Sequence, residues 1–224
     1  MRRGSIEDSG FRTGLRRGRG FAFSSILNPQ SALLILALYL PFVAHAGAQR
    51  EEALSASVRA VLQHSVTDQA APKLAFANRY EADKWLNEMS RRLQARMPNQ
   101  PARLEFLSTV HYEATRAGLD PHLVLALIEV ESGFRKYAVS RAGARGYMQV
   151  MPFWTRAIGA PEHNLFHLRM NLRYGCTILR YYLDIEKGDL HRALARYNGS
   201  LGKHKYPQRV HAVWQKKWRP VSRG

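Results

Sequence analysis

Cysteine is almost absent. Cys176 stands alone in 224 residues, so no disulfide can close within the chain and no multi-cysteine zinc or iron–sulfur site can be built. Acidic residues are scarce as well: 17 Asp and Glu face 34 Lys and Arg, a formal charge of +17. That surplus points to a negatively charged partner, whether nucleic acid, anionic lipid or an acidic polymer. There is no phosphate-binding glycine loop, no Ser-His-Asp spacing, no His pair at metal-ligand spacing and no internal repeat. At 46% hydrophobic and 23% charged residues the composition is globular, and the length suits one domain or a domain with an accessory segment.

A second gap in the charge pattern is informative. Residues 20–49 hold no Lys, Arg, Asp or Glu, and before them lie Arg2, Arg3, Arg12, Arg16, Arg17 and Arg19. The apolar run from Ala32 to Val43 is shorter than the roughly 20 residues of a spanning helix. Ala44-His45-Ala46 then supplies the small-x-small pattern of a signal-peptidase site. Residues 1–46 therefore read as a secretory signal peptide, with an uncleaved membrane anchor as the weaker alternative. Membrane contact is expected only during export or if the signal stays uncleaved. No cysteine follows the apolar run, which argues against a lipoprotein. Cleavage after Ala46 removes six basic and two acidic residues and leaves +13 on 178 residues. The basic character then belongs to an exported, periplasmic protein, and nucleic acid drops out as a partner.

The rest of the chain is helical in pattern. Residues 47–100 form a helical accessory segment of unknown role: 50–64 lack Gly and Pro, and Trp85, Leu86, Met89 and Leu93 recur at helical spacing. In the domain expected at 101–224, Pro101 opens a helix that Gly118 closes, and Asp120-Pro121 opens the next as N-cap and N1. That second helix is apolar nearly all round, which predicts burial. Beyond Ser132-Gly133, the Gly143, Gly146 and Pro152 stretch suits an irregular segment or a short β-hairpin lining a cleft. Helices are expected again over 169–186 and 189–197, and a basic amphipathic stretch, with Trp214 and Trp218 buried, over 207–218.

Glu131 ends the apolar helix just before the glycine-rich stretch. A carboxyl group there is hard to ionise, so its pKa should rise toward the range a general acid needs. A helix-terminal Glu pointing into water is the plain alternative. Glu129, two residues earlier, faces another way and cannot share a two-carboxylate site with it.

Gly118-Leu119-Asp120-Pro121, Glu131-Ser132-Gly133-Phe134, Ser140, the block 143–152 (Gly-Ala-Arg-Gly-Tyr-Met-Gln-Val-Met-Pro), Asn164-Leu165, Asn171, Gly175 and the block 193–199 (Ala-Leu-Ala-Arg-Tyr-Asn-Gly) together resemble the soluble lytic transglycosylase (SLT) family. The resemblance spans roughly residues 101–218. It implies a mainly α, goose-lysozyme-like domain that cleaves the bond between N-acetylmuramic acid and N-acetylglucosamine in peptidoglycan, with no cofactor. Glu131 would be the single catalytic acid/base, assisted by the substrate's N-acetyl group, and the products would carry 1,6-anhydromuramic ends. Ser140 would hydrogen-bond near the acid, Gln149 and Met151 would line sugar subsites, and Tyr197 would bring its hydroxyl to the carboxyl, accompanied by Asn198. Ser132 would brace the turn. Peptidoglycan strands are the implied partner, with cell-envelope proteins as further candidates.

The chain departs from the family pattern at Tyr147, where a leucine is usual, and at Arg196, where a small residue is usual. Arg141 and Arg145 add charge that would favour anionic peptide stems. Two other readings keep the resemblance: a muramidase that uses water, and a non-catalytic wall-binding protein.

Overall fold

The architecture follows from one helix that has no polar side. In the computed structural model, which describes residues 49–67 and 76–219, α4 (Pro121–Glu131) buries every side chain from Leu123 to Ile128. The expected signal segment lies outside the described residues. Before α4 come α1 (Ala56–Thr67), α2 (Arg79–Leu93) and α3 (Gln100–Arg116); after it come α5 (Phe153–Ile158), α6 (Leu168–Ile185), α7 (Leu190–Tyr197) and α8 (Lys205–Val213), closed by a π-helical turn, Trp214–Trp218. Among the described residues no helix is long and apolar enough to cross a membrane.

Caps and breakers stand close to where the sequence places them. Asp120 accepts from the His122 amide at 2.8 Å to cap α4, and Asn99 accepts from the Ala102 amide at 2.9 Å to cap α3. Gly118 takes φ +66° after α3, which lets the Leu119 amide return to the Ala114 carbonyl at 2.9 Å. Of the two forms expected for the 143–152 stretch, the irregular one is found, with two isolated antiparallel bridges, Val139 with Arg145 and Arg145 with Val150. Frequent left-handed residues account for this: Gly143, Gly146 and Gln149 all have positive φ, and a ladder cannot run through them.

Around α4 pack α3, α8 and the π-helical turn; α6 lies on α3 and α7, and α1 lies on α5 and α6. Trp218 is buried, and Trp214 packs at the core's edge. Residues 47–100 do not stand apart. Met89 and Leu93 are fully buried, the Trp85 Nε1–H donates to His122 Nε2 at 2.9 Å, and the described residues fall in one compact unit. Cys176 is buried and its thiol is pushed far up by burial, which leaves it inert.

One ion cluster crosses this core. Glu113 of α3, with a fully buried side chain, accepts from Arg173 of α6 at 2.9 Å and from Arg116 at 3.0 Å, with Arg169 at 3.5 Å. Arg173 is itself 3% exposed. Removing the carboxylate strands a buried guanidinium. Glu113→Ala should therefore lower unfolding free energy by about 3–5 kcal/mol in a urea titration, whereas truncating the exposed Asp83 of the Arg79–Asp83 pair should cost less than about 1 kcal/mol.

Candidate active site

Glu131 is the last residue of α4, and the chain turns sharply away from it. The Ser132 amide and hydroxyl both donate to the Ile128 carbonyl, at 3.0 and 3.2 Å, so Ser132 braces the helix end. Gly133 and Phe134 then adopt left-handed φ of 59° and 66°. Phe134 tucks against Phe106 and Trp218, with ring centres 6.0 and 5.6 Å away. This reversal leaves the Glu131 carboxyl between the apolar helix end and the C-terminal helix.

From that helix Tyr206 donates its hydroxyl to Glu131 Oε1 at 2.5 Å. Burial lifts the Glu131 pKa from 4.5 to about 7; the Tyr206 hydrogen bond and the Arg209 charge oppose that rise and leave a net upward shift. The groups acting on Glu131 include no second carboxylate. Glu129 is engaged elsewhere, by Lys217 Nζ at 2.5 Å and Trp218 Nε1 at 2.8 Å. Both contacts hold the π-helical turn against α4, the face opposite the reacting group.

The residues of the 140–152 stretch mostly shape the loop itself. Ser140 Oγ accepts from the Ala144 amide at 3.0 Å, closing its own turn. Gln149 is buried with φ +51°, and its Nε2 donates to the Ala138 and Gly146 carbonyls at 3.1 and 2.9 Å. Asn171 on α6 pins the same loop by three bonds of 2.8 Å: it accepts from the Met148 amide and donates to the Arg145 and Leu165 carbonyls. Gly146 makes this approach possible, because a Cβ there would sit 2.4 Å from Asn171 Nδ2. Met151 is half-buried, and its amide donates to Gln49 Oε1 at 3.2 Å.

The Tyr197 hydroxyl donates to the Met148 carbonyl at 2.8 Å, while the hydroxyl bonded to Glu131 is that of Tyr206. The Glu131 charge nonetheless acts on Tyr197 and helps hold its pKa well above 10, after the effect of burial. Asn198 is buried as the C-cap of α7. The arrangement thus brings Glu131, Tyr206, Arg209 and Tyr197 together, with Ser140, Gln149 and Asn198 supporting the frame. Tyr206 had no local signal in the sequence: it lies 75 residues from Glu131, just before the basic amphipathic stretch expected over 207–218.

Such a site can hold a proton near neutral pH on one oxygen acid and return it, without a metal or a second carboxylate. Known proteins resemble this chain over a stretch that includes Glu131. The transglycosylase SLT domain matches residues 108–218, about half of the chain. A transglycosylase of Enterobacteria phage PRD1 is 32% identical over 96 residues, covering 43% of this chain and 35% of that protein. The membrane-bound lytic murein transglycosylase C of Edwardsiella ictaluri is 47% identical over 114 residues, covering 44% of this chain and 32% of that protein. The chain therefore spans about a third of the length of these relatives. Among solved structures, an inactive mutant of the lytic transglycosylase Slt from Pseudomonas aeruginosa is similar at 23% identity and a TM-score of 0.39, over 84% of this chain and 35% of that one. Through residues 108–218, this chain belongs to the transglycosylase SLT-domain family.

Proposed function

We propose that the protein is a peptidoglycan lytic transglycosylase, exported to the periplasm, with Glu131 as its single acid/base. The observation that carries this reading is a lone carboxyl with its pKa raised to about 7, bonded to a tyrosine hydroxyl and not to a cation. A group titrating there can donate a proton to a glycosidic oxygen and then recover one within the same turnover. The SLT-domain match over residues 108–218 includes Glu131, and the relatives named above bear names for this activity.

In the proposed reaction Glu131 protonates the oxygen linking N-acetylmuramic acid to N-acetylglucosamine, and the C1–O bond breaks. The muramic N-acetyl oxygen stabilises the oxocarbenium-like centre, which replaces the second carboxylate of two-carboxylate glycosidases. The Glu131 carboxylate then takes the proton of the muramic C6 hydroxyl, whose oxygen bonds to C1 and closes the 1,6-anhydro ring. No water is consumed. Tyr206 and Arg209 hold the carboxylate form between the two proton transfers, and Ser140, Gln149, Met151, Tyr197 and Asn198 keep the sugar-facing loop in shape. Ser132 fixes the end of the helix that carries the acid.

The first test is mass spectrometry of soluble products from purified sacculi digested with the protein. Anhydromuropeptides are expected, and Glu131→Gln should abolish them, a loss of at least about 10³-fold. Reducing-end products would replace the ring closure by hydrolysis, and binding without release would overturn the enzyme reading.

The pH dependence offers two further checks. Because the acid must start protonated, kcat/KM on sacculi should fall as pH rises through about 7. Tyr206 stabilises the ionised form, so Tyr206→Phe should move that falling limb to higher pH while lowering kcat. Stability follows the same group. Its folded pKa is raised above the unfolded value of 4.5, so the stability it contributes is complete below about pH 4.5 and is lost as pH rises through about 7. Glu131→Gln, which cannot ionise, should accordingly be more stable than wild type at about pH 8, by about 1–3 kcal/mol after allowing for partial solvent contact. In thermal melts the difference should shrink toward zero near pH 4.

A further inference from the structure

Residues 49–54 have no regular structure, yet their first residue is among the most buried polar groups in the molecule. Gln49 is 4% exposed. Its Oε1 accepts from the Met151 amide at 3.2 Å, its side chain lies against the Tyr197 hydroxyl, and Tyr197 also feels the Glu131 charge. Its Nε2 is buried beside the Tyr197 hydroxyl, which it meets at the edge of hydrogen-bonding geometry. This pocket therefore holds the glutamine by neutral contacts alone, with no charged group to fix it. It has polar fittings beside the reacting carboxyl that another group can use when Gln49 is gone.

Three residues further on, Glu52 pairs with Arg196 at 3.0 Å. Arg196 is one of the two positions where this chain departs from the pattern it otherwise follows, having a long cation where a small residue is usual. Glu186 holds the same guanidinium from α6's end at 2.7 Å, which fixes it in place to receive Glu52. Arg50, Glu52, Arg196, Gly199 and Leu201 enclose a small hollow of about 80 Å³ beneath the segment. The segment therefore makes two anchored contacts, one on the loop that ends at Met151 and one on α7 beside Tyr197. The following α1 packs on α5 and α6 and keeps the segment tethered next to the site.

We propose that residues 49–52 form a strap across the site at Glu131, and that an incoming glycan strand must displace it before cleavage. The proposal rests on the reading of Glu131 as the reacting acid. Both anchors are weak, neutral contacts at Gln49 and one half-exposed ion pair at Glu52, so the strap opens reversibly. It lowers apparent affinity by the fraction of molecules in the closed state and does not alter the chemical step.

Gln49→Ala and Glu52→Lys, singly and together, test this, since neither residue belongs to the reacting group. The double variant should bind purified sacculi about three- to tenfold more tightly and lower KM by the same factor, with kcat unchanged. Hydrogen exchange at the Met151 amide should speed up in Gln49→Ala. If exchange also rises throughout α1, Gln49→Asn, which keeps the amide but draws it back by one methylene, becomes the deciding variant. Unchanged sacculus binding together with unchanged Met151 exchange overturns the strap. If no form of the protein cleaves glycan but binding still tightens in the double variant, the strap stands and the reaction falls.

Discussion

The Glu131 carboxyl leaves a helix from which water is excluded on every side, because Leu123, Val124, Leu125, Ala126, Leu127 and Ile128 are all buried before it. A carboxylate at that end has lost most of its hydration on the helix side and holds its proton to about pH 7. Most of the surrounding structure keeps α4 immersed. The helix needs cover from α3 on one flank and from α8 and the π-helical turn on the other. The polar groups at its two ends supply the fasteners. At its start, Asp120 accepts from the Trp214 Nε1–H at 3.1 Å while its other oxygen engages His122. At its end, Glu129 takes Lys217 and Trp218. The C-terminal segment is thereby held by acidic residues of the same helix that presents Glu131, and Tyr206 arrives at the carboxyl as a consequence.

Comparing the buried and half-buried acids shows why only one of them suits proton transfer. Glu113 lies among three arginines. Glu186 is bonded to Arg192 and Arg196, which hold its carboxyl below the usual range, and Asp120 is likewise held low by His122 and Trp214 despite its burial. In Glu186 and Asp120 these partners favour the charged form. Glu131 has one hydroxyl and a more distant guanidinium. Desolvation then wins, and the carboxyl stays poised. The scarcity of acidic residues in this basic chain sharpens the contrast, because nearly every buried carboxylate meets an arginine or a lysine.

Much of this frame was readable before the structure. The N-cap Asp120, the breaker Gly118 and the all-apolar α4 are local signals, and local signals survive folding when no tertiary contact competes with them. Glu131 was found by its position at the end of that helix, and Glu129 was excluded by helical geometry alone. Tyr206 was not found, since its relation to Glu131 spans 75 residues and depends on how α8 crosses α4. Gly143, Gly146 and Pro152 mark the 143–152 stretch as either irregular or a short hairpin. Three left-handed residues within it reduce the pairing to single bridges. Residues 47–100 carry no motif and so no role could be read from them, but Met89 and Leu93 of that segment complete the same core.

The motif residues themselves act mainly on the backbone. Gln149, Asn171 and Tyr197 direct their polar atoms at the carbonyls and amides of 138, 145, 146, 148 and 165, so their spacing encodes a loop shape. Loop backbone that is buried must have every polar group matched, and a loop with several left-handed residues cannot match them by laddering. Side chains do it in their place. The two departures fit this view from opposite directions. Tyr147 turns inward, packing its ring 4.8 Å from that of Phe106, and leaves the loop's bonds untouched. Arg196 points outward to Glu52 and Glu186. One departure is absorbed by the core, where size alone matters. The other adds an electrostatic handle at the edge of the site, and the segment it holds is the one that places a glutamine beside the tyrosine next to the acid.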